Sequence, residues 1–123
     1  MLRRPSGAII SGRAGVATPY ALFHVQPRGV LFIDPSTEVY EGMVVGEHNR
    51  PQDLDVNVTR EKKLTNIRAA GRDENVILSP PKRLTIELAM ELVDRDEVVE
   101  ITPDSVRIRK RILDGNEWPR RDD

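Results

Sequence analysis

The sequence predicts a mainly β, small barrel-like domain of about seven short strands, with one α-helix near residues 85–94 and a long basic loop near 59–74. Three observations carry that prediction. Valine and isoleucine together number 22 against 10 leucines, and β-branched side chains favour a pleated backbone. Turn residues recur every few positions, whereas the 3.6-residue apolar period is clear only once. Leu, Ile, Val and Phe make up 34 of 123 residues, about 28%, which is enough to pack the core of one domain.

The elements follow in order. Gly7 to Ser11 is a short apolar piece, and Val16 to Gln26 reads as a strand of mixed periodicity. Val30 to Ile33 is an apolar run closed by Asp34-Pro35-Ser36-Thr37, where Pro at the second position suits a type I turn. Val39-Tyr40 and Met43 to Gly46 flank a bend at Glu41-Gly42. Leu54, Val56 and Val58 alternate with Asp55 and Asn57, as a half-buried strand requires. Residues 59–74 then lack periodicity; connections this long are usually functional or disordered. Asn75 to Leu78 resumes as strand and Ser79-Pro80-Pro81 breaks it.

Thr85 is a candidate N-cap for the helix, and Ile86, Ala89, Met90 and Val93 form one apolar stripe that Leu88 and Leu92 widen. Val98 to Ile101 and Val106 to Ile112 read as a hairpin about Pro103-Asp104. That turn fixes the register: Ile101 faces Val106, Val99 faces Ile108, Glu100 faces Arg107 and Glu97 faces Lys110. The ordered domain is 1–113, and 114–123 is a flexible polar tail of net charge −2.

Several chemistries lack support. There is no cysteine, hence no disulfide, thiolate metal site or cysteine nucleophile. No apolar run nears the ~20 residues that cross a bilayer, and the basic N-terminus lacks the apolar segment of a signal peptide. Phosphate-loop and dinucleotide-binding glycine patterns do not occur. Asp53, Asp55 and Asn57 imitate the start of a calcium loop that fails at Val58 and Leu64. His24 reads as half-buried in an apolar run, and His48 as part of a polar loop, neither with a metal-binding partner. Glu87, Glu91, Asp94, Asp96, Glu97 and Glu100, with Arg95, give −5 over 87–100, which reads as a solvated face. No enzyme is expected.

What remains is segregated positive charge in a chain of net charge −1. Arg60, Lys62, Lys63, Arg68 and Arg72 against Glu61 give +4 over 60–72. Cations release counterions from phosphates, and Thr65 and Asn66 add groups that bond phosphate or 2′-hydroxyl oxygens. A solubilising loop is the plainer alternative. Arg107, Arg109, Lys110 and Arg111 form a second +4 run, with Arg107, Arg109 and Arg111 on one strand face and Glu100 and Glu97 within reach. Tyr20, Phe23, Phe32 and Tyr40 sit in apolar segments and read as core, too few for a stacking platform.

Longer motifs carry a resemblance. Gln26-Pro27-Arg28-Gly29 and Val39-Tyr40-Glu41-Gly42-Met43-Val44-Val45-Gly46-Glu47 come first. Asp53-Leu54-Asp55-Val56-Asn57 and Lys62-Lys63-Leu64-Thr65-Asn66-Ile67-Arg68-Ala69 follow. Leu84-Thr85-Ile86-Glu87 and the run from Asp96 to Arg111 complete the set. In this order, over residues 3–113, they resemble the C-terminal domain of the TypA/BipA family of translational GTPases.

The resemblance implies a mainly β module without catalysis of its own. It acts in translation and large-subunit assembly under stress or cold, in the cytoplasm, as a monomer without membrane contact. Its partners would be the ribosome, through 23S rRNA near the peptidyl-transferase region and the acceptor end of A-site tRNA, with ribosomal proteins and the remaining domains of a parent GTPase. The resemblance places Lys62, Lys63, Thr65, Asn66, Arg68 and Arg72 in the family's long loop, while Arg60 beside it and Arg107, Arg109 and Arg111 on the hairpin are candidate RNA contacts by their charge. No cofactor belongs to this chain; GTP and Mg would sit in a GTPase domain it lacks, so it reads as an excised or truncated domain. Family tails tend to be basic, unlike residues 114–123, and Arg95 stands where the family has an acid. The alternative is a protein-interaction or spacer domain docking through its acidic helix and hairpin.

Overall fold

In the computed structural model, residues 6–61 and 78–113 are described. The order is β1 (Ala8–Ser11), β2 (Gly15–Val16), α1 (Pro19–Val25), a 3-10 turn (Gln26–Arg28), β3 (Gly29–Leu31), β4 (Glu38–Val39), β5 (Met43–His48), β6 (Leu54–Val56), α2 (Ile86–Leu92), β7 (Glu97–Ile101) and β8 (Val106–Lys110). The protein is mainly β, as its composition predicts.

Among the described residues, the main sheet runs β6-β1-β5-β8-β7, with β3 also on β5. β1 pairs parallel with β6 and antiparallel with β5. A bulge between Ile9 and Ile10 carries Ile9 opposite Gly46 and Ile10 opposite Val44. A side chain at Gly46 would meet the Val30 carbonyl oxygen at 2.6 Å, so glycine there lets β3 close on β5. β2 and β4 form a separate ribbon.

The centre of the sheet is buried on both faces, which is why β1 and β5 read as apolar runs rather than alternating strands. Ile9 and Val45 join Leu22 and Val25 of α1 in one core. Ala8, Ile10 and Val44 join Ala89 of α2 and Ile108 of β8 in the other. The two helices therefore cover opposite faces.

The hairpin adopts the anticipated register, from Glu97 opposite Lys110 to Ile101 opposite Val106. Thr102 locks its turn: the hydroxyl accepts from the Ser105 amide at 3.0 Å, and the backbone amide donates to the Ser105 carbonyl at 2.9 Å. Leu54, Val56 and Val58 point inward while Asp55 and Asn57 are exposed. Asp55 is on β6 and Asn57 just past its end, at the turn into Thr59, rather than in a calcium loop.

Three local expectations need correction. Residues 19–25 are helix, not strand. The Thr18 hydroxyl accepts from the Ala21 amide at 3.1 Å, and Pro19 supplies a preset φ at the first helical position. Those two local signals outweigh the β-leaning composition. The turn at 34–37 has Ser36 at φ 75°, the left-handed third position of a type II turn rather than type I; the Ser36 amide is held by the Ala17 carbonyl at 2.8 Å. In α2 the inward residue is Ala89, with Leu92 and Val93 beside it, whereas Ile86 and Met90 are exposed. The sheet meets the helix one position away from the centre of the apolar stripe. The anticipated strand at 75–78 lies outside the described residues except for Leu78, which packs on the α1-side core; the tail 114–123 lies outside them entirely.

Candidate nucleic-acid interface

The long basic segment is anchored at both ends of α1. Thr18, the N-cap, donates its hydroxyl to the Arg60 carbonyl at 2.6 Å while accepting from the helix. Asn57 fixes the approach, its side-chain oxygen accepting from the Thr59 amide at 3.0 Å and hydroxyl at 2.7 Å. On the return, the Ser79 amide donates to the side chain of Gln26, the C-cap, at 2.9 Å. The Lys82 amide then bonds the Leu31 carbonyl at 2.8 Å. Departure and return are thus about one short helix apart, roughly 10 Å at 1.5 Å per residue. Arg60 is exposed and its guanidinium stands 5.9 Å from the Tyr20 ring centre. Lys62, Lys63, Thr65, Asn66, Arg68 and Arg72 lie outside the described residues.

The second basic run behaves otherwise. Lys110 is 1% exposed, and its ammonium bonds Asp53 and Asp96 at 2.6 Å each, with Glu97 at 3.3 Å. Burial pulls its pKa down, but the hydrogen bonds from Asp53 and Asp96 and the charge of Glu97 outweigh that, so the ammonium is held above its ordinary range. The Glu97–Lys110 pair that the hairpin register offers is therefore internal, because Asp53, just before β6, and Asp96, in the α2–β7 turn, also reach the ammonium. Arg109 bonds Glu100 at 2.7 Å, Arg107 stands 3.8 Å from it, and Tyr40 donates its hydroxyl to the same carboxylate. Arg107 also stacks 5.7 Å from the Tyr40 ring centre. The Tyr40 hydrogen bond and the two arginines hold Glu100 below the usual carboxylate range against the cost of burial. Burial and Glu100 push the Tyr40 hydroxyl far above its own range. Arg111 is exposed and donates to the Arg95 carbonyl at 3.3 Å.

The acidic stretch is not one solvated face. Asp94 and Glu97 are buried, and the Asp94 amide donates to Glu97 at 3.0 Å. Asp96 and Glu100 serve Lys110 and Arg109. Glu87 and Glu91 remain exposed on α2, beside Ile86 and Met90. His48 is buried at the end of β5, its Nδ1 2.6 Å from the Gln52 carbonyl, instead of lying in a polar loop. The strand pairing that buries it is long-range and invisible in its neighbours. His24 is exposed rather than half-buried. Among the described residues, no group of His, Asp and Glu is arranged to hold a metal, and no helix is long and apolar enough to cross a membrane.

The aromatics also differ from expectation. Phe32 is core and Tyr40 packs against the core, but Phe23 is 38% exposed. With Tyr20 and His24 it forms a ring cluster on the outward side of α1. The Tyr20 and His24 centres are 4.5 Å apart, and those of Phe23 and His24 are 5.7 Å apart, both edge-to-face. Sequence reasoning missed this surface because it took 16–26 for a strand. Thr18-Pro19 was the available signal: a helix starting there buries Ala21, Leu22 and Val25 and turns Tyr20, Phe23 and His24 outward.

Residues 6–115 match the family model described as the TypA/BipA C-terminal domain. The chain is 48% identical over 118 residues to the "Large ribosomal subunit assembly factor BipA" of Haemophilus influenzae, covering 96% of this chain and 19% of that protein. It is 52% identical over 115 residues to the protein of the same name from Escherichia coli strain K12, covering 94% of this chain and 19% of the relative. The Buchnera aphidicola protein of that name is 50% identical over a stretch of the same length. The chain thus spans about a fifth of these curated relatives.

Proposed function

The chain belongs to the TypA/BipA C-terminal domain family, and from that premise we propose that it is a non-catalytic module that binds the ribosome during large-subunit assembly and translation. Its basic segment contacts rRNA near the peptidyl-transferase region and the acceptor end of A-site tRNA. Arg60, Lys62, Lys63, Arg68 and Arg72 neutralise phosphates, and Thr65 and Asn66 position the RNA backbone. Arg111 adds a peripheral cation, while Arg107 and Arg109 contact RNA only to the extent that Glu100 leaves them charge to offer. GTP and Mg belong to other domains of a parent GTPase.

One observation carries this reading. The segment from Arg60 to Ser79, with net charge +4 over 60–72 and +2 once Asp73 and Glu74 are counted, is tied at Arg60 and at Ser79 to the caps of a single surface helix. Closing a loop on two fixed points cuts the entropy that a polyanion partner must overcome. The relatives are named large ribosomal subunit assembly factors, which supports the ribosome as the source of that polyanion.

The test is binding to large ribosomal subunits and to tRNA across a salt series. Replacing Lys62, Lys63 and Arg68 with Ala is expected to flatten log affinity against log salt by about two units, at ~0.7 per lost phosphate contact. An unchanged slope rejects the segment as the RNA contact.

A second reading draws on α2, where exposed Ile86 and Met90 alternate with Glu87 and Glu91. An apolar face rimmed by acids suits a basic ribosomal protein. Charge reversal at Glu87 and Glu91 would then weaken ribosome association more than the changes in the basic segment.

A further inference from the structure

We infer that the outward face of α1 — Tyr20, Phe23 and His24, with Arg60 over Tyr20 — is a stacking site for an unpaired base of single-stranded RNA. This rests on the RNA-binding reading above and adds to it a contact of a different kind, aromatic rather than ionic.

The folding role of α1 is met by its other side. Ala21, Leu22 and Val25 are buried, with Leu22 at 1% exposure, so the outward rings are not needed to hold the helix on the sheet. Phe23 and His24 are exposed and Tyr20 is half-buried beside them, and the phenyl face that Phe23 leaves in water carries a standing cost. The ring contacts are edge-to-face, at 79° and 70°, so no two of the rings are stacked in parallel and an edge covers at most one π-face in each pair. A nucleobase is a flat partner for such a face, whatever its sequence. The Arg60 guanidinium, 5.9 Å from the Tyr20 ring centre, brings a cation to the same spot.

Charge selects RNA over a protein as the occupant. Residues 19–28, which form α1 and the 3-10 turn after it, contain Arg28 and no Asp or Glu, and Arg60 stands over Tyr20. The exposed apolar residues of α2 have Glu87 and Glu91 beside them instead. Continuity points the same way. The basic segment leaves beside the N-cap, Thr18, and returns beside the C-cap, Gln26.

The experiment uses the whole 123-residue chain and a single-stranded RNA 12-mer with one central 2-aminopurine. Anisotropy gives affinity across a salt series, and 2-aminopurine quenching reports stacking. Phe23→Ala and Phe23→Leu are expected to abolish the quenching and lower affinity about tenfold, leaving the salt slope unchanged. Phe23→Trp is expected to keep both. Circular dichroism verifies that each variant stays folded. Salt-dependent binding that is indifferent to Phe23→Ala overturns the stacking site while leaving the ionic contact standing. Full activity of Phe23→Leu also overturns it, since any apolar side chain would then serve, as in a protein contact. No salt-dependent binding by the unmodified chain overturns the RNA reading and the stacking site together.

Discussion

α1 and α2 are each seven residues long, and each starts at a threonine whose hydroxyl accepts an amide at 3.1 Å. Each lays small or aliphatic side chains on one face of the same sheet. They diverge on the side away from it. α1 presents rings and Arg60; α2 presents Ile86 and Met90 with Glu87 and Glu91. Caps and inward faces are held alike because folding requires them. Outward faces are free of that requirement, and there the two sides of the molecule acquire opposite chemistry. On the proposed function, α1 would face a polyanion and α2 a basic or apolar surface.

The comparison presumes a sheet that keeps the helices apart, and the largest predicted effect breaks it there. Lys110→Met leaves Asp53, Asp96 and Glu97 without their shared cation and is expected to cost about 3–5 kcal/mol in urea unfolding. A loss under ~1 kcal/mol would show that the carboxylates relax into solvent. Next come the inward and outward faces. Leu22→Ala is expected to cost about 2–5 kcal/mol, whereas Met90→Ala, at 56% exposure, stays within roughly 0.5 kcal/mol. Comparable losses would mean that α2 is more deeply packed than its exposure suggests.

The caps sharpen the contrast. Thr85→Ala is expected to cost about 1 kcal/mol. Thr18→Ala is expected to cost more and also to weaken RNA binding, because the same hydroxyl holds Arg60 in place. Equal stability losses with unchanged RNA affinity would show that Thr18 only caps. The smallest effect is a pH dependence. Glu100 is held below the ordinary carboxylate range by Tyr40, Arg109 and Arg107, so its contribution is full above that range and fades as pH falls through it. Unfolding free energies at pH 7 and pH 3.5 should therefore differ less in Glu100→Gln than in the unmodified chain. An identical difference in both would remove Glu100 from the acid response.

How much was legible depended on the range of the determining interaction. The hairpin register followed from one turn and one alternating pattern, because Pro103-Asp104 and residues within ten positions settle it. The strand from Leu54 was readable for the same reason, and α2 was found through Thr85 and its apolar period. Its inward side is centred on Ala89 and Leu92 rather than on Ile86 and Met90, because all four are apolar at helical spacing and only the sheet chooses among them. Residues 19–25 went wrong where a composition-wide preference was set above a specific cap. For the candidate site, the +4 charge over 60–72 was plain, whereas its attachment to Gln26 through Ser79, 53 positions away, was not.

Residue order alone determined the mainly β class, the hairpin, the second helix, the family and the basic segment, since each depends on composition or on neighbours along the chain. Only the tertiary structure decided which cations face solvent. Lys110 and Arg60 belong to runs of equal net charge, yet one is enclosed by carboxylates from Asp53 and Asp96 and the other lies open over Tyr20. An ion pair forms between whatever the strand order makes adjacent, and strand order is not written in local sequence.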